Sequence, residues 1–337
     1  MQSSVPPRIM FPMNRWIAIL VWLAGSAVTH AASRVVAVHS ESSPADVRAM
    51  VVAGVKNLTG AADEAAAWGA LVSSNDVVGI KINTQAAPLL ATHRSVVDAI
   101  VAGLRSAGVA PDHIWIWDRD LQKMRAAGYA LPGTEREVAV TDGTGWDAEA
   151  FYENKLVGRL IWGDLLFRAD DEQLSTRSHL PKILTRTITR LINVPVLQSH
   201  DACGVCGCLY NLSMATVDNA RRFEQYNQNG DPAIAEICAL PAIRRKLALN
   251  VMDALVAGYA GGPVFRPQYS WQPNTLYFSA DPVAVDAVCL QRLEAKRKAA
   301  RIPPFGDKAN HIATAARLGL GKNDLKQIES VEVTPGK

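Results

Sequence analysis

The chain has 337 residues, 49% of them hydrophobic and 20% charged, with a formal net charge of +3. That length and apolar content can bury a large core, as one domain or two intimate ones. The near balance of charge argues against a nucleic-acid binder, since Arg221-Arg222 and Arg244-Arg245-Lys246 fall in helical patterns that read as solvated faces.

At the N-terminus, Arg8 and Arg15 precede an apolar run from Trp16 to Val28, and then the small-residue stretch Thr29-His30-Ala31-Ala32-Ser33. This reads as a secretory signal peptide over residues 1–31, cut after Ala31. The run is shorter than the roughly 20 residues needed to cross a bilayer, so no stable membrane span is expected after cleavage. The expected location is exported, periplasmic or secreted.

Beyond that segment, short β-branched runs alternate with stretches of helical period. Strands are expected at residues 34–39, 76–83, 113–117 and 137–141, with helices at 44–55 and 92–107. Residues 152–168 read as a hairpin and 170–179 as an exposed loop. A strand at 190–196, helices at 212–226 and 242–256, a lid-like loop at 258–273 and a strand at 276–279 follow. Asp281-Pro282 then opens a helix, with Asp as N-cap and Pro in the first turn. The alternation predicts an α/β fold, a mostly parallel sheet flanked by helices in three layers, with residues 296–337 as a C-terminal helical extension. Such sheets hold ligands at the carboxyl ends of their strands, where Lys81, Asn83, Asp118, Asp120 and Asp142 are expected to gather.

The densest chemical signal is His200-Asp201-Ala202-Cys203-Gly204-Val205-Cys206-Gly207-Cys208, directly after an apolar strand. Three readings of this loop stand. His200, Cys203, Cys206 and Cys208 can ligate a metal ion or an iron–sulfur cluster, with Cys238 or Cys289 as a further ligand. Cys203 and Cys206 can form a disulfide or redox-active pair, as an oxidising compartment favours. The cysteines can also simply fill a tight loop as small hydrophobes. Asp286, inside Val285-Asp286-Ala287-Val288, would be a costly buried charge without a partner such as Lys81 or Asn83.

Gly79-Ile80-Lys81-Ile82-Asn83, Ile192-Asn193-Val194-Pro195 with His200, Gly204 with Gly207 and Asn211, and Ser279-Ala280-Asp281-Pro282-Val283-Ala284-Val285-Asp286 together resemble the domain of unknown function 362 family. The resemblance spans about residues 34–295. It implies an α/β domain, and its members are often described as iron–sulfur proteins, many exported and most without an established reaction. Gln198 and Tyr210 stand where the family usually has lysines. Cys203, Cys206 and Cys208 stand where it usually has small or hydroxyl residues.

The combined expectation is an exported protein with a cysteine-rich metal or redox site at the sheet edge, an oxidoreductase-like enzyme acting on a small molecule or redox partner. Lys81 and Asp286 are its expected catalytic residues, Asn83, Asn211 and Asp281 hold the cofactor, and His200, Cys203, Cys206 and Cys208 bind the metal or cluster. The alternative is a non-catalytic metal or small-ligand binding protein with a structural disulfide in the loop.

Overall fold

The computed structural model describes residues 33–335, apart from 43–44, 134–135, 162, 166–173 and 225–228. The expected signal peptide therefore lies outside the described residues. No helix among the described residues is long and apolar enough to cross a membrane.

β1 (Ser33–His39) leads into α1 (Val47–Thr59) and α2 (Glu64–Gly69), each capped by an aspartate side chain, Asp46 and Asp63, that accepts a backbone N–H of the first turn. β2 (Val78–Ile82), α3 (Arg94–Ser106), β3 (Ile114–Asp118), α4 (Leu121–Ala126) and β4 (Glu137–Ala139) complete the first half. β5 (Trp146–Arg159) and β6 (Leu174–Pro181) form a separate antiparallel arm. A hairpin is present, but not within the expected 152–168: its second strand falls largely in the stretch 170–179 expected to be an exposed loop. Arg222 ties the arm to the core by bonding Asn154 Oδ1, the Leu156 carbonyl and Ser178 Oγ.

β7 (Arg190–Val194), β8 (Val196–His200), β9 (Gly204–Cys206), α5 (Cys208–Leu212), α6 (Ala233–Cys238) and α7 (Pro241–Arg244) follow. β10 (Leu247–Gly258), β11 (Ser270–Trp271), β12 (Thr275–Ser279), α8 (Pro282–Ala299), α9 (Asn310–Arg317) and β13 (Ile328–Val333) end the chain.

The main sheet runs β13-β1-β12-β10-β7-β2-β3-β4. Five of those seven neighbouring pairs are parallel and the two made by β12 are antiparallel. One face packs Val78, Ile80, Ile82, Ile192 and Val251 against α1, α2 and α3; the other packs Trp117, Leu191 and Met252 against α5, α6, α8 and α9. This is the expected three-layer α/β architecture.

Three expected elements differ. Residues 242–256 carry only the short α7 before β10, because a strand buried on both faces is a continuous apolar run that periodicity cannot separate from a buried helix. Of the helix expected at 212–226, the described residues hold only the end of α5 at Leu212, then turns and a short 3-10 helix at Arg221–Phe223. There Asp218 takes the Asn219 N–H and Ser213 Oγ bonds the Leu209 carbonyl, local side-chain bonds that compete with a helix ladder. The C-terminal extension is not wholly helical, since β13 adds a parallel edge strand beside β1.

Candidate metal centre and adjoining cavity

One rung of the sheet is polar. Trp117, Lys81, Asn193, Asn250 and Ser279 are successive partners across β3, β2, β7, β10 and β12. Asn193 donates to Asn250 Oδ1 at 2.9 Å and to the Cys208 carbonyl at 3.1 Å, while Asn250 donates to the Ser279 carbonyl. Asn211, dropping from α5, donates to Asn193 Oδ1 at 2.8 Å and accepts from both Lys81 Nζ and Asn83 Nδ2 at 3.1 Å. The rung fastens α5 to the sheet through satisfied amides, as a buried polar chain must.

Lys81 is fully buried, and its ammonium also bonds Asp118 Oδ1 at 2.7 Å and the Ile82 carbonyl at 2.8 Å. Burial pushes its pKa down, against the pull of Asp118. Burial likewise works to raise Asp118, but the Lys81 charge and bonds outweigh it and hold that carboxyl below the usual range. Lys81 is therefore buried framework beneath the sheet edge, whereas Asn83, which shares its bond to Asn211, lines the adjoining cavity.

Asp286 is also fully buried, yet neither Lys81 nor Asn83 is its partner. It accepts the Cys208 and Leu209 N–H groups at 2.6 and 2.9 Å, capping α5 from the neighbouring α8. Burial, opposed by those two bonds, raises its carboxyl to about 7. Gly207 makes the approach possible, since a Cβ there would lie 2.2 Å from Asp286 Oδ1. Asp281 caps α8 through the Ala284 N–H, as its place before Pro282 indicated, and also takes the Lys322 N–H and the Ser33 hydroxyl.

The loop of cysteines is a tight hairpin in which His200 faces Gly204 across β8 and β9. Gly204 has φ of 76°, and a Cβ there would meet the Ala309 nitrogen at 3.0 Å, so turn and packing both require glycine. All five cysteines are buried free thiols, so of the three readings of the loop the Cys203–Cys206 disulfide is not the one found. His200, Cys203 and Glu224 bring ligand atoms within 4.8 Å of one another. His200 Nε2 lies 3.7 Å from Glu224 Oε1, close to the edge of about 3.3–3.6 Å set by tetrahedral metal bonds of about 2.0–2.3 Å. His200 Nδ1 accepts the Ala202 and Cys203 N–H groups, so the neutral ring of the metal-free protein carries its proton on Nε2, and a metal bound at Nε2 would have to displace that proton. Burial pushes the His200 pKa down and that of Cys203 up.

This group can hold a metal. A thiolate and a carboxylate would neutralise a dication in a buried place, and imidazole with sulfur suits zinc, iron or copper. Cys206 and Cys208 stand outside the group. The Cys208 pKa is raised by burial and by the neighbouring Asp286 and Cys289, and Cys238 Sγ donates to the Leu209 carbonyl. Glu224, which sequence reasoning missed, sits in a stretch read as helix and belongs to no motif.

Tyr210 links the group to a cavity of about 390 Å³ at the carboxyl ends of β2 and β3. Its hydroxyl donates to Glu224 Oε1 at 2.7 Å and lies 3.2 Å from the donor Gln85 Nε2 and 3.3 Å from His200 Nε2. Asp118, Asp120, Tyr210 and Glu224 all line the cavity, with Pro263 and Val264 of the 258–273 loop at its wall.

The family model described as a domain of unknown function, DUF362, matches residues 78–291, and the chain belongs to that family. No curated protein matches the chain. A crystal structure of a Thermotoga maritima protein, a target of the Northeast Structural Genomics Consortium, is similar at 11% identity and a TM-score of 0.39 over 71% of this chain. The aligned region spans 57% of that protein's length.

Proposed function

We propose that this protein is an exported metal-dependent enzyme whose metal is held by His200, Cys203 and Glu224 beside the cavity at the sheet edge. The convergence of those three ligand atoms within 4.8 Å carries the reading. Three protein ligands leave a tetrahedral ion one open position, the pattern of catalytic rather than structural sites. The leader-like residues 1–31 support export.

Bound metal supplies Lewis-acid chemistry if it is zinc, and electron transfer if it is iron or copper, the latter matching the oxidoreductase expectation. The chain's own residues orient and enclose. Tyr210 and Gln85 steer the Glu224 carboxylate, the two backbone N–H groups fix the His200 ring, and the rung under α5 holds the hairpin against the sheet. The test is titration of metal-free protein with Zn²⁺, Fe²⁺ and Co²⁺, oxygen excluded. Co²⁺ is expected to give a thiolate charge-transfer band that Cys203→Ser abolishes, with affinity down at least about a hundredfold, while Cys208→Ala keeps both. Binding unchanged in His200→Ala, Cys203→Ser and Glu224→Gln would sink the assignment.

A further inference from the structure

The cavity walls are lined by five carboxylates, Asp118, Asp120, Asp164, Asp218 and Glu224, and three cations, Arg119, Lys123 and Arg221. By count the cavity is acidic, but Lys81 neutralises Asp118 and the other carboxylates are held by donors of the protein itself, whereas the cations are not fully used.

Every carboxylate already has donors within the protein. Asp118 is paired with Lys81 and Thr84, and Asp120 caps α4 through the Lys123 N–H. Asp164 accepts the Ile161 N–H, Asp218 takes the His179 N–H and ring with the Asn219 N–H, and Glu224 takes the Tyr210 hydroxyl. The cations keep donors to spare. Arg119 uses one guanidinium nitrogen on the Met214 and Val217 carbonyls, and Lys123 uses Nζ on the Gln85 carbonyl. Arg221 is exposed and has no side-chain partner among the described residues. Arg119 and Arg221 both lie near enough to Lys123 for their charges to lower its pKa, after burial and against the opposing pull of Asp120 and Asp118.

We infer that this cavity binds a small dianion, a molecule bearing a phosphate or two carboxylates, on Arg119, Lys123 and Arg221. Unfilled guanidinium and ammonium donors are matched by oxyanions, through charge-assisted and, for arginine, bidentate hydrogen bonds. A concave site of this volume encloses a metabolite-sized ligand. That the dianion is the substrate rests on the metal reading above; that it binds does not.

The test uses metal-free full-length protein and the fluorescence of Trp146, which lines the cavity, with Trp146→Phe identifying that signal. Inorganic phosphate and succinate are titrated at constant ionic strength, with chloride as control. Saturable binding of at least one of the two is expected, and their ratio tells a phosphoryl from a dicarboxylate ligand. Arg221→Gln and Lys123→Gln should each weaken binding about tenfold or more, the worth of one hydrogen bond to a charged group. Arg221 is exposed, so its variant keeps the test valid if Lys123→Gln fails to fold. Absence of saturation, equal response to chloride, or affinity unchanged in both variants would overturn the inference. Anion binding without any metal binding would leave this site standing and remove only the substrate assignment.

Discussion

Lys81→Met separates a framework role from a chemical one. The substitution keeps the apolar stem and removes an ammonium that bonds Asp118, Asn211 and the Ile82 carbonyl. Breaking a buried ion pair by removing one partner costs about 3–5 kcal/mol, because the survivor is left as an uncompensated charge. Asp118 would keep three donors, the Thr84 N–H at 2.8 Å, the Thr84 hydroxyl at 2.6 Å and the Arg119 N–H at 2.7 Å. Lys81→Met should therefore fall near about 3 kcal/mol. Asp118→Leu strands the ammonium with only a carbonyl and an amide oxygen, and should reach about 5 kcal/mol. The double variant should cost less than the sum by about 2 kcal/mol or more, since neither charge is then left alone. Urea unfolding at unchanged slope measures all three. If Lys81→Met unfolds at the wild-type midpoint while metal or anion binding is lost, the framework reading is wrong and Lys81 belongs to the chemistry.

Gly207→Ala should cost about 2–3 kcal/mol by forcing Asp286 off the start of α5, as overpacking of a filled site does, and Gly207→Ala/Asp286→Ala should recover part of it; equal losses in both would contradict the clash. Stability should fall as pH rises from about 4 to 7, because the folded chain keeps the Asp286 proton to about 7 while the unfolded chain loses it near 3.8, and Asp286→Asn should flatten that slope in denaturant midpoints. His93 adds a loss above that range: although its burial works to lower its pKa, its bond to the buried Asp253 raises it overall, so its stabilisation is full below pH 6.5 and disappears as pH rises through the folded value. His93→Gln should remove that second fall, and a pH profile indifferent to both substitutions would refute the linkage.

How far the site was legible varies from residue to residue. His200 and Cys203 stood out because soft ligands within four positions of one another are a local pattern, and a hairpin closed at Gly204 keeps them near each other. Cys206 and Cys208 belonged to the same pattern but stand outside the group, Cys208 having turned into the start of α5. Lys81 and Asn83 were expected together at the sheet edge, and they do meet there, both bonding Asn211 in a buried network. Spacing cannot tell a lysine at the floor of a cavity from one buried under it.

Local physics in the sequence is enough to determine the alternation that makes a three-layer α/β fold, the aspartate cap at Asp281, and the position of the thiol loop after a buried strand. Each of these depends on residues a few positions apart. The tertiary structure alone decided that residues 247–258 are a strand, that β13 closes the sheet beside β1, and that Glu224 completes a group with His200 and Cys203. It also decided which cations in the cavity keep free donors. Those outcomes depend on which partners the chain brings together from distant positions: a continuous apolar run suits either a buried helix or a central strand until its neighbours choose, and a carboxylate becomes a ligand only where its oxygen meets another residue's nitrogen and sulfur.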